Sequence, residues 1–182
     1  GIMNMLYYAL IKTGLLPPLI FMGVGAMTDF GPLLRNLRLA FFGAAAQLGI
    51  FSVLIAAIAF GFTPQEAGAL GIIGGADGPT AIYTAIILAP HLLGPIAIAA
   101  YSYMALVPVI QPPLMRLFIN KEDRKIRMKP PRAVTQKEKM IFPVVALILT
   151  TFISPSALPL LGMLFFGNLL KESGRTERLA DT

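Results

Sequence analysis

Long apolar runs broken by short polar stretches set the pattern of this chain, and five blocks stand out. The first covers residues 13–28 and is short unless it extends upstream past Lys12. Residues 39–62 form a second block, without a single charge. The third, residues 67–89, carries Asp77 near its centre. The fourth, residues 92–115, is again uncharged throughout. About 20 helical residues cross a hydrocarbon core of roughly 30 Å, so the second and fourth blocks predict spanning helices. The fifth block, residues 140–170, is the longest and is interrupted by Ser154-Pro155-Ser156. As one helix it would measure roughly 46 Å, so two short helical arms joined by a turn fit better.

The pattern predicts an all-α polytopic membrane protein. In order it has transmembrane helices within 13–62, a broken or re-entrant helix at 67–89, and a transmembrane helix at 92–115. A basic cytoplasmic loop at 116–139 and paired short arms at 140–170 follow. Composition agrees: 56% of the 182 residues are hydrophobic and 13% are charged, about half the charged share of a soluble domain. The 17 glycines and 15 prolines point, in this context, to closely packed or broken helices. Ala45 and Gly49, and Gly71 and Gly75, have the four-residue spacing that lets helix backbones approach in lipid. Gln111-Pro112-Pro113 is expected to bend or end the fourth helix.

The net charge of +6 does not indicate nucleic acid, because of where the charges lie. No Lys or Arg occurs from Leu39 to Met115, whereas nine of the fifteen lie between Arg116 and Lys139. Basic residues gathered in one loop between apolar runs follow the positive-inside pattern. Such a loop is first an orientation signal, and its density also permits docking of an anionic partner or lipid headgroups. If Arg35 and Arg38 share the cytoplasmic side with that loop, an even number of crossings separates them. Of the three blocks between, one must then enter and leave on the same side. Gly74-Gly75-Ala76-Asp77-Gly78-Pro79 marks the third block as that one. The chain opens at Gly1 without an initiator Met or a visible signal peptide, and is expected to be a fragment, a partial membrane domain over 1–182.

Candidate chemistry is sparse. With no cysteine and a single histidine, thiolate sites, disulfides and a His-rich cage from this chain alone are excluded. A phosphate loop is excluded too, because Pro79 rather than Lys follows the last glycine. Asp77 stands out, since a mid-membrane carboxylate costs roughly 2.5–3.5 kcal/mol on insertion scales. Pro79 suits the first turn of a second half-helix, with Gly78 or Asp77 as its cap and the positive helix end facing the carboxylate. The first half-helix would end near Gly74 and Gly75 and leave carbonyls free. Carboxylate, carbonyls and the Thr80 hydroxyl make a hard oxygen set suited to Na⁺ or a proton. The plain alternative is that Asp77 only caps a helix. Tyr103, near the middle of the fourth block, needs a partner for its hydroxyl, while Tyr101 lies on another helix face. Gln47 and Asn168 read first as bonds between helices, Asp29 as a turn or capping residue, and His91 as a loop residue.

The run from Gly71 through Ile72-Ile73-Gly74-Gly75-Ala76-Asp77-Gly78-Pro79-Thr80-Ala81-Ile82 to Tyr83 resembles the signature of a known family. It is that of the β subunits of sodium-pumping biotin-dependent decarboxylases, which act on oxaloacetate, methylmalonyl-CoA or glutaconyl-CoA. Residues 21–32, 100–106 and 167–174 resemble the same subunit. The resemblance implies an inverted-repeat ion-transporter-like fold in the inner membrane of a prokaryote. It implies a role coupling decarboxylation of carboxybiotin and proton uptake to Na⁺ export. The carboxybiotin would be carried by a soluble carboxyltransferase and biotin-carrier subunit, beside a small membrane subunit, with a homo-oligomer left open. Asp77 matches the family's essential membrane aspartate and Tyr103 its functional tyrosine. Gly74, Gly75, Gly78 and Thr80 complete the expected Na⁺ and proton site. Family members are roughly twice as long, and their second polar constellation has no counterpart here. An ion-coupled carboxylate transporter and a membrane subunit without an ion site are the alternative readings.

Overall fold

The computed structural model describes residues 1–127 and 132–176. Among them the chain is helical throughout and forms no strand. A first helix, α1 (Ile2–Leu6), runs into a π-helical stretch (Tyr7–Lys12). There follow α2 (Leu16–Met27), α3 (Gly31–Arg35), α4 (Ala40–Ala59), α5 (Pro64–Gly71), α6 (Gly78–Leu88), α7 (Leu93–Phe118), α8 (Gln136–Ile153) and α9 (Leu158–Glu172). They fall into two compact units, Gly1–Ala40 with Pro131–Thr182, and Phe41–Pro130.

The first unit is built on the crossing of α2 and α9, with α8 against α9. Glycine makes the crossing possible. A Cβ on Gly25 would collide with the Leu164 carbonyl oxygen, and one on Gly167 with that of Met22. Small residues facing each other in this way bring two backbones into van der Waals contact, which packs helices where lipid removes the hydrophobic drive. Phe30, Phe142 and Phe165 form an aromatic cluster beside the crossing, with ring centroids 5.0–6.4 Å apart. Ser154 and the Pro155–Ala157 turn separate α8 from α9.

The second unit contains α4, the broken third block and α7. Leu37–Ala59 (23 residues) and Pro90–Phe118 (29 residues) are long and apolar enough to cross a membrane. A third candidate, Ile2–Lys12 with Leu16–Met27 in the first unit, qualifies only as a pair bent by 67°. The first block is therefore not a straight span of its own: α2 has 12 residues, about 18 Å of helix, too short for a core of about 30 Å. The fourth block differs in the other direction. Its helix continues through Pro108, Pro112 and Pro113 to Phe118 instead of ending at Gln111. Each proline removes one backbone bond, but ending the helix among apolar residues would leave more backbone groups unpaired, which lipid penalises more. The basic stretch between α7 and α8 is accordingly shorter than 116–139, because α8 already starts at Gln136; its residues 128–131 lie outside the described residues.

The third block doubles back on itself. α5 opens with a reciprocal cap: the Thr63 hydroxyl accepts the Glu66 N–H at 3.3 Å, and Glu66 Oε2 accepts the Thr63 N–H at 2.9 Å. α6 then returns beside α5, so that Gly68 faces the Leu88 side chain. At the open end Glu66 Oε1 lies 2.8 Å from His91 Nε2. Both ends of the block are thus together, and the break sits at the tip of a helical hairpin. With 11 residues, α6 is about 16 Å long, roughly half the thickness of a hydrocarbon core.

Candidate functional site at the helix break

The tip forms because the sequence forbids a continuous helix there. α5 ends at Gly71 and tightens into a 3₁₀ turn over Ile72–Gly75. Ala76 then adopts a left-handed conformation, φ 53° and ψ 39°, the only positive φ of a non-glycine among the described residues. An alanine there costs roughly 1 kcal/mol, strain that is characteristic of functional sites. Asp77 is extended and caps α6, its Oδ1 accepting the Thr80 N–H at 3.1 Å. Proline follows in the first turn, where a missing N–H costs nothing.

Three glycines seat the tip on α4. A Cβ on Gly71 would stand 3.1 Å from the Ile50 carbonyl oxygen, and one on Gly74 would stand 3.3 Å from the Gly49 carbonyl carbon. Gly75 lies against the Ile50 side chain. From the other side α7 covers the start of α6. A Cβ on Gly78 would be 2.9 Å from the Tyr101 ring, and the Gly78 N–H points at Met104 Sδ, 3.2 Å away.

A count of donors and acceptors shows what the tip can bind. Helix N-termini usually offer free N–H groups to anions. Here Gly78 donates to Met104, Pro79 has no N–H, Thr80 donates to Asp77 Oδ1, and Ala81 donates to the Asp77 carbonyl at 3.0 Å. The first turn of α6 therefore has no N–H left for an anion. Asp77 Oδ2 and carbonyls of the terminated first half-helix remain as acceptors. The arrangement is rich in acceptors and poor in donors, which favours a small hard cation or a proton.

The break brings Gly74, Gly75, Asp77, Gly78 and Thr80 together, as consecutive parts of one turn. Tyr103 stands apart from the carboxylate. It lines a cavity of about 600 Å³ whose other walls include Gly49, Val53, Ile73 and Gly74. It is Tyr101, on the neighbouring face of α7, that meets the Asp77 turn at Gly78. No hydrogen bond joins either phenol to Asp77 among the described residues. Gln47 is exposed on α4. Asn168 belongs to the first unit, where its Nδ2 donates to the carbonyls of Gly25 (3.2 Å) and Thr28 (2.8 Å). Asp29 Oδ1 accepts the Gly31 N–H at 2.9 Å, which, with Lys139 nearby, holds its carboxyl below the usual range. The Thr135 N–H, with Arg132, does the same for Glu138. Glu66 falls to about 2, chiefly through the Thr63 N–H and then His91.

Met104 carries no signal in the sequence, being one methionine in an apolar run. α8 opens with the same reciprocal cap as α5, between Thr135 and Glu138, and both carry a sequence signal, Thr63-Pro64-Gln65-Glu66 and Thr135-Gln136-Lys137-Glu138.

Residues 1–182 match a family model described as the Na⁺-transporting oxaloacetate decarboxylase beta subunit. The chain is 60% identical over 178 residues to the methylmalonyl-CoA decarboxylase subunit beta of Veillonella parvula, covering 96% of this chain and 48% of the relative. It is 59% identical over 172 residues to the glutaconyl-CoA decarboxylase subunit beta of Acidaminococcus fermentans, covering 94% and 46%. With the oxaloacetate decarboxylase beta chain 2 of Salmonella typhi it shares 57% identity over 188 residues, covering 100% and 43%. The chain thus spans slightly less than half the length of these relatives.

Proposed function

The chain belongs to the family of β subunits of Na⁺-transporting decarboxylases, and from that premise we propose that its re-entrant tip is the Na⁺ and proton site of such a subunit. The observation that carries the reading is the donor and acceptor count at the tip: one carboxylate, free carbonyls, and no N–H left over in the first turn of α6. Na⁺ bound there is balanced by the Asp77 carboxylate, and a proton on the same oxygen neutralises it in turn. The two cations compete for one site, which is the minimum required to exchange one for the other across a membrane.

Loss of CO₂ from carboxybiotin breaks the N–C bond and leaves electrons on the ureido nitrogen, which takes up a proton. Coupling needs that proton and Na⁺ to use one path. Asp77 binds the ion, with Gly74, Gly75, Gly78 and the Thr80 hydroxyl shaping or lining its site, and Tyr103 relays the proton from the cavity wall. The carboxybiotin arrives on a soluble carboxyltransferase and biotin-carrier subunit, and a small membrane subunit completes the complex. The basic segment after α7 faces the cytoplasm of a prokaryote, across its inner membrane.

A carboxylate transporter built on a similar hairpin is disfavoured by the same count. It would need donors at the tip, yet those of α6 are occupied and no Lys or Arg lies between Leu39 and Met115. The test reconstitutes the full-length complex in vesicles with a carboxylated biotin carrier and follows ²²Na⁺. Uptake that requires carboxybiotin supports the proposal. Na⁺ movement driven by a free carboxylate gradient without carboxybiotin overturns it.

A further inference from the structure

We propose that Met104 is a positioning residue for Asp77: its thioether sulfur takes the one N–H at the start of α6 that would otherwise turn on the carboxylate. The inference rests on the reading of Asp77 as the ion site. Gly78 directly follows Asp77, and its N–H lies 3.2 Å from Met104 Sδ. Among the first-turn N–H groups it alone is satisfied from outside its own hairpin; those of Thr80 and Ala81 go to Asp77 itself. Gly78 and Pro79 are buried, so water is a poor substitute partner.

Removing the sulfur leaves a buried donor unpaired, which costs more than the bond itself contributes. A strong acceptor one residue away is the Asp77 carboxylate, whose Oδ1 already holds the Thr80 N–H. Rotating to accept a second backbone N–H would occupy Oδ2, the oxygen left for the cation. A thioether suits the task because it is a weak acceptor. It satisfies the N–H without adding a charge beside the carboxylate. Tyr101, three residues earlier and on the same face of α7, packs its ring on Gly78 and closes the space into which the turn could shift. Neither residue touches the ion, and both act through the geometry of the Asp77 turn.

The experiment measures Na⁺-dependent decarboxylation in the full-length complex carrying Met104→Leu or Met104→Gln. Leucine keeps the volume and loses the acceptor, while glutamine restores one. The apparent KM for Na⁺ should rise roughly fivefold or more in Met104→Leu, with kcat and melting temperature little changed, and should return toward wild type in Met104→Gln. A purely packing role would lower the melting temperature of both and leave the Na⁺ KM alone. An unchanged Na⁺ KM in a folded Met104→Leu, or a Gln variant as impaired as Leu, overturns the proposal. If Met104→Leu fails to fold, the Gln variant decides, a near-wild-type Na⁺ KM supporting the acceptor role. Asp77→Asn runs alongside. Abolished Na⁺ dependence there with an unaffected Met104→Leu defeats only the positioning role, whereas retained dependence in Asp77→Asn defeats the ion-site reading as well.

Discussion

Glycine is used in opposite ways in the two units. Where α2 crosses α9, Gly25 and Gly167 remove side chains so that two complete helices can touch, and polar side chains nearby bond across the crossing. Asn168 is 1% exposed and donates twice to α2, Lys171 Nζ donates to the Thr28 carbonyl at 3.1 Å, and Glu172 accepts from Gln136. In effect α9 supplies the cap that the C-terminal end of α2 lacks. At the hairpin tip, Gly71, Gly74 and Gly75 seat a helix that has stopped, and its acceptors stay open. One region uses its polar groups for packing and the other leaves them available. The difference separates a structural polar residue from a functional one better than burial does: Asn168 is the more buried, yet Asp77 has the unfilled valence.

Breaking the packing side should have the largest effect. Gly25→Val or Gly167→Val drives a side chain into a backbone carbonyl, and should cost about 3 kcal/mol or more. The full-length subunit should then fail to accumulate in the membrane. Gly43→Val, on α4 with nothing within 4 Å of its Cβ, should accumulate normally. Immunoblots of membrane fractions check this.

The tyrosines sharpen the functional side. Tyr103→Phe should slow decarboxylation at least about tenfold, in the range by which a lost proton-transfer group slows a reaction. Tyr101→Phe keeps the ring on Gly78 and should stay near wild type, whereas Tyr101→Ala opens that space and should raise the KM for Na⁺. Equal losses in the two Phe variants would contradict the separate roles.

The hairpin itself is open to labelling. The chain has no cysteine, so cysteines at Phe62 and His91 should react with an impermeant reagent from one face of the membrane, and one at Lys125 from the cytoplasmic face. Modification of the first two from opposite faces would show a block that crosses.

The smallest effect concerns the mouth of the hairpin. Glu66 has its carboxyl lowered from 4.5 to about 2. A depressed carboxylate stabilises the folded form above its unfolded pKa, and that contribution is lost as pH falls through the folded one. The melting gap between wild type and Glu66→Gln should be present above about pH 4.5 and should close as the pH approaches 2.

The broken block was the most legible part of the sequence, because Gly-Gly-Ala-Asp-Gly-Pro combines a helix terminator, a cap and a helix start in one short run. Local chemistry narrowed the cap of α6 to Gly78 or Asp77, and the structure gives that role to Asp77. What stayed hidden is non-local. Nothing near Gly25 announces that its partner lies close to the other end of the chain, and nothing marks Met104 until α7 is laid against the tip. Pro112 and Pro113 of α7 misled in the other direction, since rules for soluble helices overstate how readily an apolar helix ends. For the tyrosines, periodicity separated their faces but could not say which face meets which side of the break.

Asp77→Asn in the full-length complex tests the central claim most directly, because asparagine keeps the cap to the Thr80 N–H and removes only the charge. The subunit should insert and melt as wild type does, while equilibrium ²²Na⁺ binding and carboxybiotin-driven ²²Na⁺ uptake are both lost. Binding and uptake at wild-type levels in a correctly inserted Asp77→Asn subunit would contradict an ion site at the hairpin tip and return Asp77 to the role of a helix cap.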